Sequence, residues 1–101
     1  MQGVMTQALV PHIVVAATKD LAGWHYSDGA LKRTFRFKSF REAIGFLVRI
    51  AFEAESLNHH PEISNVYNSV TLTLRTHDAE NQVTEKDIQL ARAIQTLSWV
   101  D

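Results

Sequence analysis

The stretch 39–57 constrains the fold of this chain most, because it predicts one long amphipathic helix with a defined start and end. Ser39 and Glu42 have the spacing of a capping box, in which each side chain accepts a hydrogen bond from backbone near the other residue. Pro61 stands just beyond Leu57, and a proline cannot continue a helix. We therefore predict a helix over residues 39–57.

The apolar arc of this helix is wider than a single sheet can cover. Its main stripe consists of Phe40, Ala43, Ile44, Leu47, Ile50, Ala51 and Ala54. Phe46 lies off one edge of the stripe, and Val48 and Phe52 lie off the other. Either the helix is buried deep in the core of one chain, or a second copy of the chain covers the apolar side chains that the sheet does not. A small domain has few residues with which to cover them itself, so we expect a homodimer or homotetramer.

Alternating apolar and polar residues predict two β-hairpins. The first lies between Trp24 and Phe37, where Asp28-Gly29 is a strong signal for a two-residue turn. The second pairs the strands 63–67 and 70–76 around a turn at positions 68–69. Strands joined by tight turns form antiparallel sheets, so we predict a sheet of four antiparallel strands.

Two further helices complete the pattern. Residues 6–22 carry Leu9, Ile13, Ala16, Ala17 and Leu21 at roughly helical spacing. Thr84 and Asp87 can cap a final helix that reaches about Val100. The order α-β-β-α-β-β-α predicts an α+β fold, a four-stranded antiparallel sheet with three helices on one face.

Length and composition narrow the class of protein. A chain of 101 residues is expected to form a single domain over positions 1–101. Ten basic and eleven acidic residues leave a net charge of -1, which argues against direct nucleic-acid binding. The chain has no cysteine, so disulfides and thiolate metal sites are excluded. We expect no membrane association and a cytoplasmic location, since a signal peptide and a long apolar run are both missing from the sequence.

A cluster of titratable residues carries the chemical information. Three of the five histidines, His59, His60 and His77, fall in a window bounded by Glu55 and Asp87. Histidine exchanges protons near neutral pH, so imidazoles beside a carboxylate indicate acid–base catalysis. Glu55 is four positions before His59 and lies within the apolar arc of its helix, so we consider a Glu55–His59 pair. An exposed Glu55 at a frayed helix end is an equal alternative.

Each of these residues also has a structural interpretation. His59-His60-Pro61 is compatible with a helix stop, because histidine near a helix C-terminus interacts favourably with the dipole. Tyr67 beside a hairpin turn fits a core position or a ring stacked on a flat substrate. Asp87 can serve the cap of the last helix. Zinc bound by the three histidines is the minor hypothesis, because adjacent histidines seldom point at one ion and helical ligand spacing is lacking.

The spacing Glu55-x3-His59-His60-Pro61-x5-Tyr67-x9-His77-x9-Asp87 resembles the motif of the pterin-4a-carbinolamine dehydratases. The similarity continues through Gly45-Phe46, residues 65–68, Thr76-His77 and residues 87–91, and it spans about Gly23 to Ile94. The resemblance implies an α+β domain that assembles into dimers or dimers of dimers. It also implies dehydration of a 4a-hydroxytetrahydropterin to quinonoid dihydropterin and water, in pterin recycling, without a metal or redox cofactor.

The resemblance also implies roles for individual residues. His59 and His77 would be the acid–base pair, His60 chiefly a pterin-binding donor, and Glu55 the partner that orients His59. Tyr67 and Asp87 would join the substrate site. Asn58 departs from the family pattern, in which aspartate is frequent at this position, and the first helix lacks the usual Ser-x-x-Glu start.

A second class of function fits the same resemblance. Animal members of the family also serve as dimerisation cofactors of a homeodomain transcription factor, a role that would use the outer side of helix 39–57. A metal-dependent hydrolase is a third hypothesis. Dehydration of the 4a-hydroxypterin in the presence of EDTA would separate the enzyme from the interaction module.

Overall fold

The computed structural model describes residues 7–97, which form three α-helices, four strands and one short 3-10 helix. The helices are α1 (Pro11–Thr18), α2 (Phe40–Leu57) and α3 (Glu85–Gln95). The strands are β1 (His25–Ser27), β2 (Ala30–Arg36), β3 (Glu62–Val66) and β4 (Ser69–Leu74), and the 3-10 helix is His77–Ala79. Within residues 7–97 no helix is long and apolar enough to cross a membrane.

The strands form one antiparallel sheet in the order β1-β2-β4-β3, with the three helices on one face. Val70, Leu72 and Leu74 of β4 are buried beneath the helices, while Thr71 and Thr73 alternate with them on the open face. The predicted α+β class and element order are confirmed. Strand β3 lies at an edge of the sheet, so no further strand covers the residues that come just before and just after it.

Helix α2 begins as predicted, although its cap is arranged differently. Ser39 Oγ accepts a hydrogen bond from the backbone N–H of Glu42 at 3.1 Å. The Glu42 carboxylate reaches back one residue further than a capping box requires and accepts from the N–H of Lys38 at 3.0 Å. Both contacts satisfy amide groups that the first turn would otherwise leave unpaired.

The buried side of α2 differs from the predicted stripe. Ala43, Phe46, Ile50 and Ala54 face the core, whereas Phe40 and Ile44 are exposed. Phe46 is fully buried and its ring packs against Phe35 and Phe37, so its placement outside the stripe was wrong. Val48 and Phe52 are exposed as predicted, 54% and 69% respectively. The two aromatic partners from the sheet decide which side of the helix is buried.

Both terminal helices are shorter than predicted. α1 starts at Pro11 rather than near residue 6, because proline fits the first turn of a helix but not its interior. Val14 is its buried residue, while Ile13 is 45% exposed. α3 ends at Gln95, and the predicted extension to Val100 lies outside the described residues beyond position 97.

Two tight turns set the register of the sheet. Asp28 and Gly29 both have positive φ angles, 54° and 75°, which confirms the two-residue turn predicted for the first hairpin. The second turn consists of Tyr67 and Asn68, one residue earlier than predicted, because Val66 pairs with Ser69. As a result, Pro61 and Tyr67 lie at opposite ends of β3.

Candidate active site

A cleft of about 400 Å³ lies where α2, β3, β4 and α3 come together. It brings together His59, His60 and His77, the three histidines that the sequence singled out. The residues that line it are Asn58, His59, His60, Pro61, Glu62, Arg75, Thr76, His77, Asp78 and Lys86. The end of a helix and the end of a strand therefore meet at one polar site.

The C-terminus of α2 separates the two adjacent histidines. Asn58 ends the helix in the left-handed conformation, with φ 51° and ψ 45°, which asparagine tolerates better than most residues. The backbone N–H of His59 then donates to the carbonyl of Ala54 at 3.0 Å. This reversal turns His59 inward, where it is 8% exposed, and leaves His60 on the surface. Asparagine at position 58 therefore has a backbone role of its own.

Asp87 is the partner of His59. The Nε2 atom of His59 lies 2.5 Å from Oδ1 of Asp87, whose side chain is completely buried. The other oxygen of the carboxylate accepts from the backbone N–H of Thr84 at 2.9 Å and completes the capping box of α3. The cap predicted for Asp87 and a role in the site therefore coexist, one on each oxygen. Being fully buried in this chain, Asp87 meets the cleft through His59.

Glu55 contacts the other histidine. Its Oε2 atom lies 2.7 Å from Nε2 of His60, and both side chains are exposed to solvent, 77% and 58% respectively. The predicted Glu55–His59 pair is therefore replaced by two separate pairs. The helix wheel placed Glu55 on the apolar arc, but its exposed side chain shows that the carboxylate remains hydrated.

His77 reaches the same cleft from a different element. It is the first residue of the 3-10 helix, which begins after Thr76. The carbonyl of Thr76 accepts hydrogen bonds from the backbone N–H groups of Ala79 and Asn81, at 3.1 Å and 3.0 Å. The tight turn places an exposed His77 at the cleft, on the polar side of the strand end as predicted.

Tyr67 does not join the histidines within one chain. It lies in the turn after β3 with a φ of 52° and is 64% exposed. Its neighbours are Ser39, Phe40, Arg41 and Ile44, which line a separate open groove at the start of α2. The six residue-to-residue steps from Pro61 to Tyr67 span roughly 20 Å in an extended chain, too far for one small molecule to contact both ends.

Several polar residues of the cleft were missed by sequence reasoning, among them Arg75, Thr76 and Lys86. Arg75 and Lys86 add positive charge to its wall, and Arg75 Nε forms an ion pair with Glu62 Oε2 at 3.0 Å, although the N–H is not aligned for a hydrogen bond. Thr76 is 4% exposed and donates to Asp87 Oδ2 at 2.8 Å. The only available signals were a lysine in the first turn of a helix, which opposes the dipole, and the position of Thr76 directly before His77.

The described residues also bear on metal binding. Among positions 7–97 there is no group of three His, Asp or Glu side chains arranged to hold an ion. His59 and His60 point in different directions, each to its own carboxylate. Chemically, the cleft offers three imidazoles, each of which can donate or accept a proton.

The sequence pattern of the family described as pterin 4 alpha carbinolamine dehydratase matches residues 7–97. The chain belongs to this family. A relative from Opitutus terrae, provisionally named pterin-4-alpha-carbinolamine dehydratase, is 51% identical over 100 residues and covers 99% of both chains. A Bradyrhizobium relative with the same provisional name is 46% identical over 96 residues, which is 93% of this chain and 95% of that protein.

A solved member of the pterin-4a-carbinolamine dehydratase family has the same fold. The crystal structure of a transcriptional coactivator/pterin dehydratase from Brucella melitensis superimposes with a TM-score of 0.82 and 44% sequence identity. The match covers 88% of this chain and 96% of the Brucella chain. The Brucella protein therefore shares the fold that carries the cleft in this chain.

Proposed function

We propose that this chain catalyses the dehydration of a 4a-hydroxytetrahydropterin to quinonoid dihydropterin and water, by histidine acid–base catalysis. The observation that carries the proposal is the convergence of His59, His60 and His77 on one cleft, with the buried Asp87 behind His59. Membership of the dehydratase family supplies the substrate class.

The reaction requires two proton transfers. The hydroxyl group on C4a leaves as water only if its oxygen receives a proton, and the proton on N5 must pass to a base as the C–O bond breaks. His59 and His77 come from different elements and line the same cleft, so one can act on each position. Correctly placed acids and bases of this kind contribute about 10²–10⁴-fold to the rate.

The carboxylates have separate roles in this mechanism. Asp87 orients His59 through the contact with its Nε2 atom, as a buried carboxylate does in other histidine-based sites. Glu55 orients His60, which we assign to pterin binding because it lies at the exposed rim. Tyr67, far along β3, is assigned to the surface between chains rather than to substrate stacking within its own chain.

The proposed reaction needs neither a metal nor a redox cofactor, because proton transfer alone balances it. The test is to follow dehydration of a synthetic 4a-hydroxytetrahydropterin by the purified chain in the presence of EDTA. We expect the rate to be unchanged by the chelator. A rate equal to the uncatalysed one refutes the proposal, and a rate that EDTA abolishes and zinc restores favours a metal-dependent enzyme.

We further propose that the chain works as a homodimer or homotetramer through the outer face of α2, formed by Phe40, Ile44, Val48 and Phe52. These four side chains follow each other every fourth residue and are 38–69% exposed in the single chain. A symmetric copy carries the same patch and can cover it.

The same face also provides the alternative function, an interaction module for a transcription factor. The Brucella protein carries a coactivator name beside its dehydratase name. Catalytic activity distinguishes the two hypotheses, since an interaction module does not depend on the histidine cleft. Substitutions in the cleft that abolish dehydration would leave an interaction through α2 unaffected.

A further inference from the structure

Thr76 occupies the centre of a buried hydrogen-bond network behind the histidines. Its Oγ1 atom donates to Oδ2 of Asp87 at 2.8 Å and lies 2.7 Å from Oγ1 of Thr84. A hydroxyl group has one proton, so Thr84 must donate in the second contact. Thr84 Oγ1 in turn accepts from the backbone N–H of Lys86 at 3.2 Å. Every hydroxyl proton in the network then has one defined acceptor.

This network fixes the role of each carboxylate oxygen. Oδ2 of Asp87 receives two donors, the hydroxyl of Thr76 and the backbone N–H of Thr84. Oδ1 faces His59 Nε2, and a carboxylate that already accepts two hydrogen bonds is an acceptor there as well. His59 therefore carries a proton on Nε2, which makes Nδ1 the nitrogen available for proton transfer.

Thr76 is also tied to the second catalytic histidine through its backbone. Its carbonyl accepts from the N–H groups that close the 3-10 turn beginning at His77, and its own N–H donates to the carbonyl of Gln82 at 2.9 Å. The backbone contacts do not depend on the side chain, so a substitution can remove the hydroxyl while the turn that carries His77 is retained.

We propose that the Thr76 hydroxyl is a positioning group, which holds the Asp87 carboxylate so that His59 keeps its proton on Nε2 and presents Nδ1 to the substrate. The inference rests on the proposed dehydratase function for its kinetic consequences. The alternative is that Thr76 only satisfies buried polar atoms of the α3 cap. The two differ in whether the hydroxyl affects the protonation of His59.

The test compares Thr76→Val, which removes the hydroxyl at nearly constant shape, with Thr76→Ser, which keeps it. We expect Thr76→Val to lower kcat roughly tenfold with KM little changed, as loss of a supporting hydrogen bond does in other sites. The pH–rate profile is a further readout, which should differ from wild type in Thr76→Val and return to the wild-type profile in Thr76→Ser.

Thr71→Val is the matched control, since it removes a hydroxyl of the same strand region that contacts Thr34 on the open face of the sheet. A kcat and pH profile equal to wild type in Thr76→Val would overturn the proposal, as would equal impairment of the serine and valine variants. If Thr76→Val fails to fold, Thr76→Ala replaces it with the same expected direction.

A second readout does not depend on catalysis. In ¹⁵N-labelled protein, the Nε2–H of His59 should exchange slowly with solvent in wild type and in Thr76→Ser, and faster in Thr76→Val, because the Asp87 carboxylate that accepts from it is no longer held by the hydroxyl. An exchange rate in Thr76→Val equal to that of wild type overturns the positioning role. A wild-type chain without dehydratase activity refutes the proposed function instead, while the NMR comparison still decides the role of Thr76.

Discussion

At the scale of single residues, the site depends on one carboxylate that serves two elements. Asp87 uses Oδ2 to cap α3 and Oδ1 to hold His59. The position of His59 is therefore coupled to the start of α3. This contact suits the proposed proton transfer, because small displacements of a proton donor lower the rate.

The histidines provide the first prediction. His59→Ala and His77→Ala should each lower kcat by about 10²-fold or more, because each removes one proton carrier. His60→Ala should mainly raise KM, since His60 lies at the exposed rim beside Glu55. Steady-state kinetics on folded variants check this. Wild-type rates in both the His59 and His77 variants would contradict the assignment.

Asp87→Asn separates the two tasks of this residue. An amide can still accept hydrogen bonds from Thr76 and Thr84 with its oxygen, but its NH₂ group then faces Nε2 of His59 and forces the other tautomer. We expect kcat to fall by about 10²-fold or more at nearly unchanged stability. Asp87→Ala should in addition lose about 1 kcal/mol of unfolding free energy with the cap. An Asp87→Asn enzyme with the wild-type rate would exclude the orienting role.

At the scale of elements, a buried arginine of the sheet forms hydrogen bonds with the loop after α1 and with α3. Arg33 of β2 is 6% exposed, lies over the ring of Phe35 at 4.3 Å, and donates to the carbonyl of Ala22 at 2.8 Å and to Oε1 of Gln95 at 3.1 Å. Strand alternation alone predicts that Arg33 points inward. It does not predict the two acceptors from other parts of the chain, which satisfy the buried guanidinium group.

Substitutions at two glycines test how local backbone conformation and packing contribute to the free energy of unfolding. An added Cβ at Gly23, where φ is 85°, would lie 2.7 Å from Nε of Arg33, so Gly23→Ala should destabilise the fold by about 1–3 kcal/mol. Gly45 is inside α2 with no atom within 4 Å of an added Cβ, so Gly45→Ala should stabilise by about 0.5–1 kcal/mol. Urea unfolding at one protein concentration measures both. Shifts of the same sign would contradict this account.

At the scale of the whole molecule, the outer face of α2 leaves large apolar side chains exposed to solvent in the single chain. Each large apolar side chain that becomes buried contributes roughly 1.5–3 kcal/mol, so covering several of them in an interface is a substantial gain for a domain of this size. Ile63, Val66 and Tyr67 of strand β3 and the turn after it are also 50–72% exposed, and Tyr67 lines a groove with Phe40 and Ile44 of α2. Helix and strand together offer a second copy a broad surface.

Phe52→Asp tests the assembly, because a charge at this 69% exposed position should not disturb the core of one chain. We expect wild type to be a dimer or tetramer by light scattering, and Phe52→Asp to shift toward the monomer mass. Gln89→Asp on the exposed side of α3 is the control for added charge and should assemble normally. A wild-type mass near 11.4 kDa at micromolar concentration would refute the proposed assembly.

The sequence by itself determined most of the helices, strands and turns, and it indicated the histidines that line the candidate site. Local rules were enough for the start of α2 at Ser39, the turn at Asp28-Gly29 and the cap of α3, since each depends on residues close in the chain. The motif spacing indicated His59 and His77, and the cleft contains both.

Only the tertiary structure decided which groups pair and which sides are buried. The helix wheel could not place Phe46 in the core, because Phe35 of β2 and Phe37 just after that strand pack against it. Nor could spacing show that His59 pairs with Asp87, 28 residues away, rather than with Glu55, four residues away. A left-handed Asn58 turns the chain between the two histidines, and the packing of α3 against α2 supplies the carboxylate. Contacts between distant residues depend on the path of the whole chain, and short-range patterns do not contain that path.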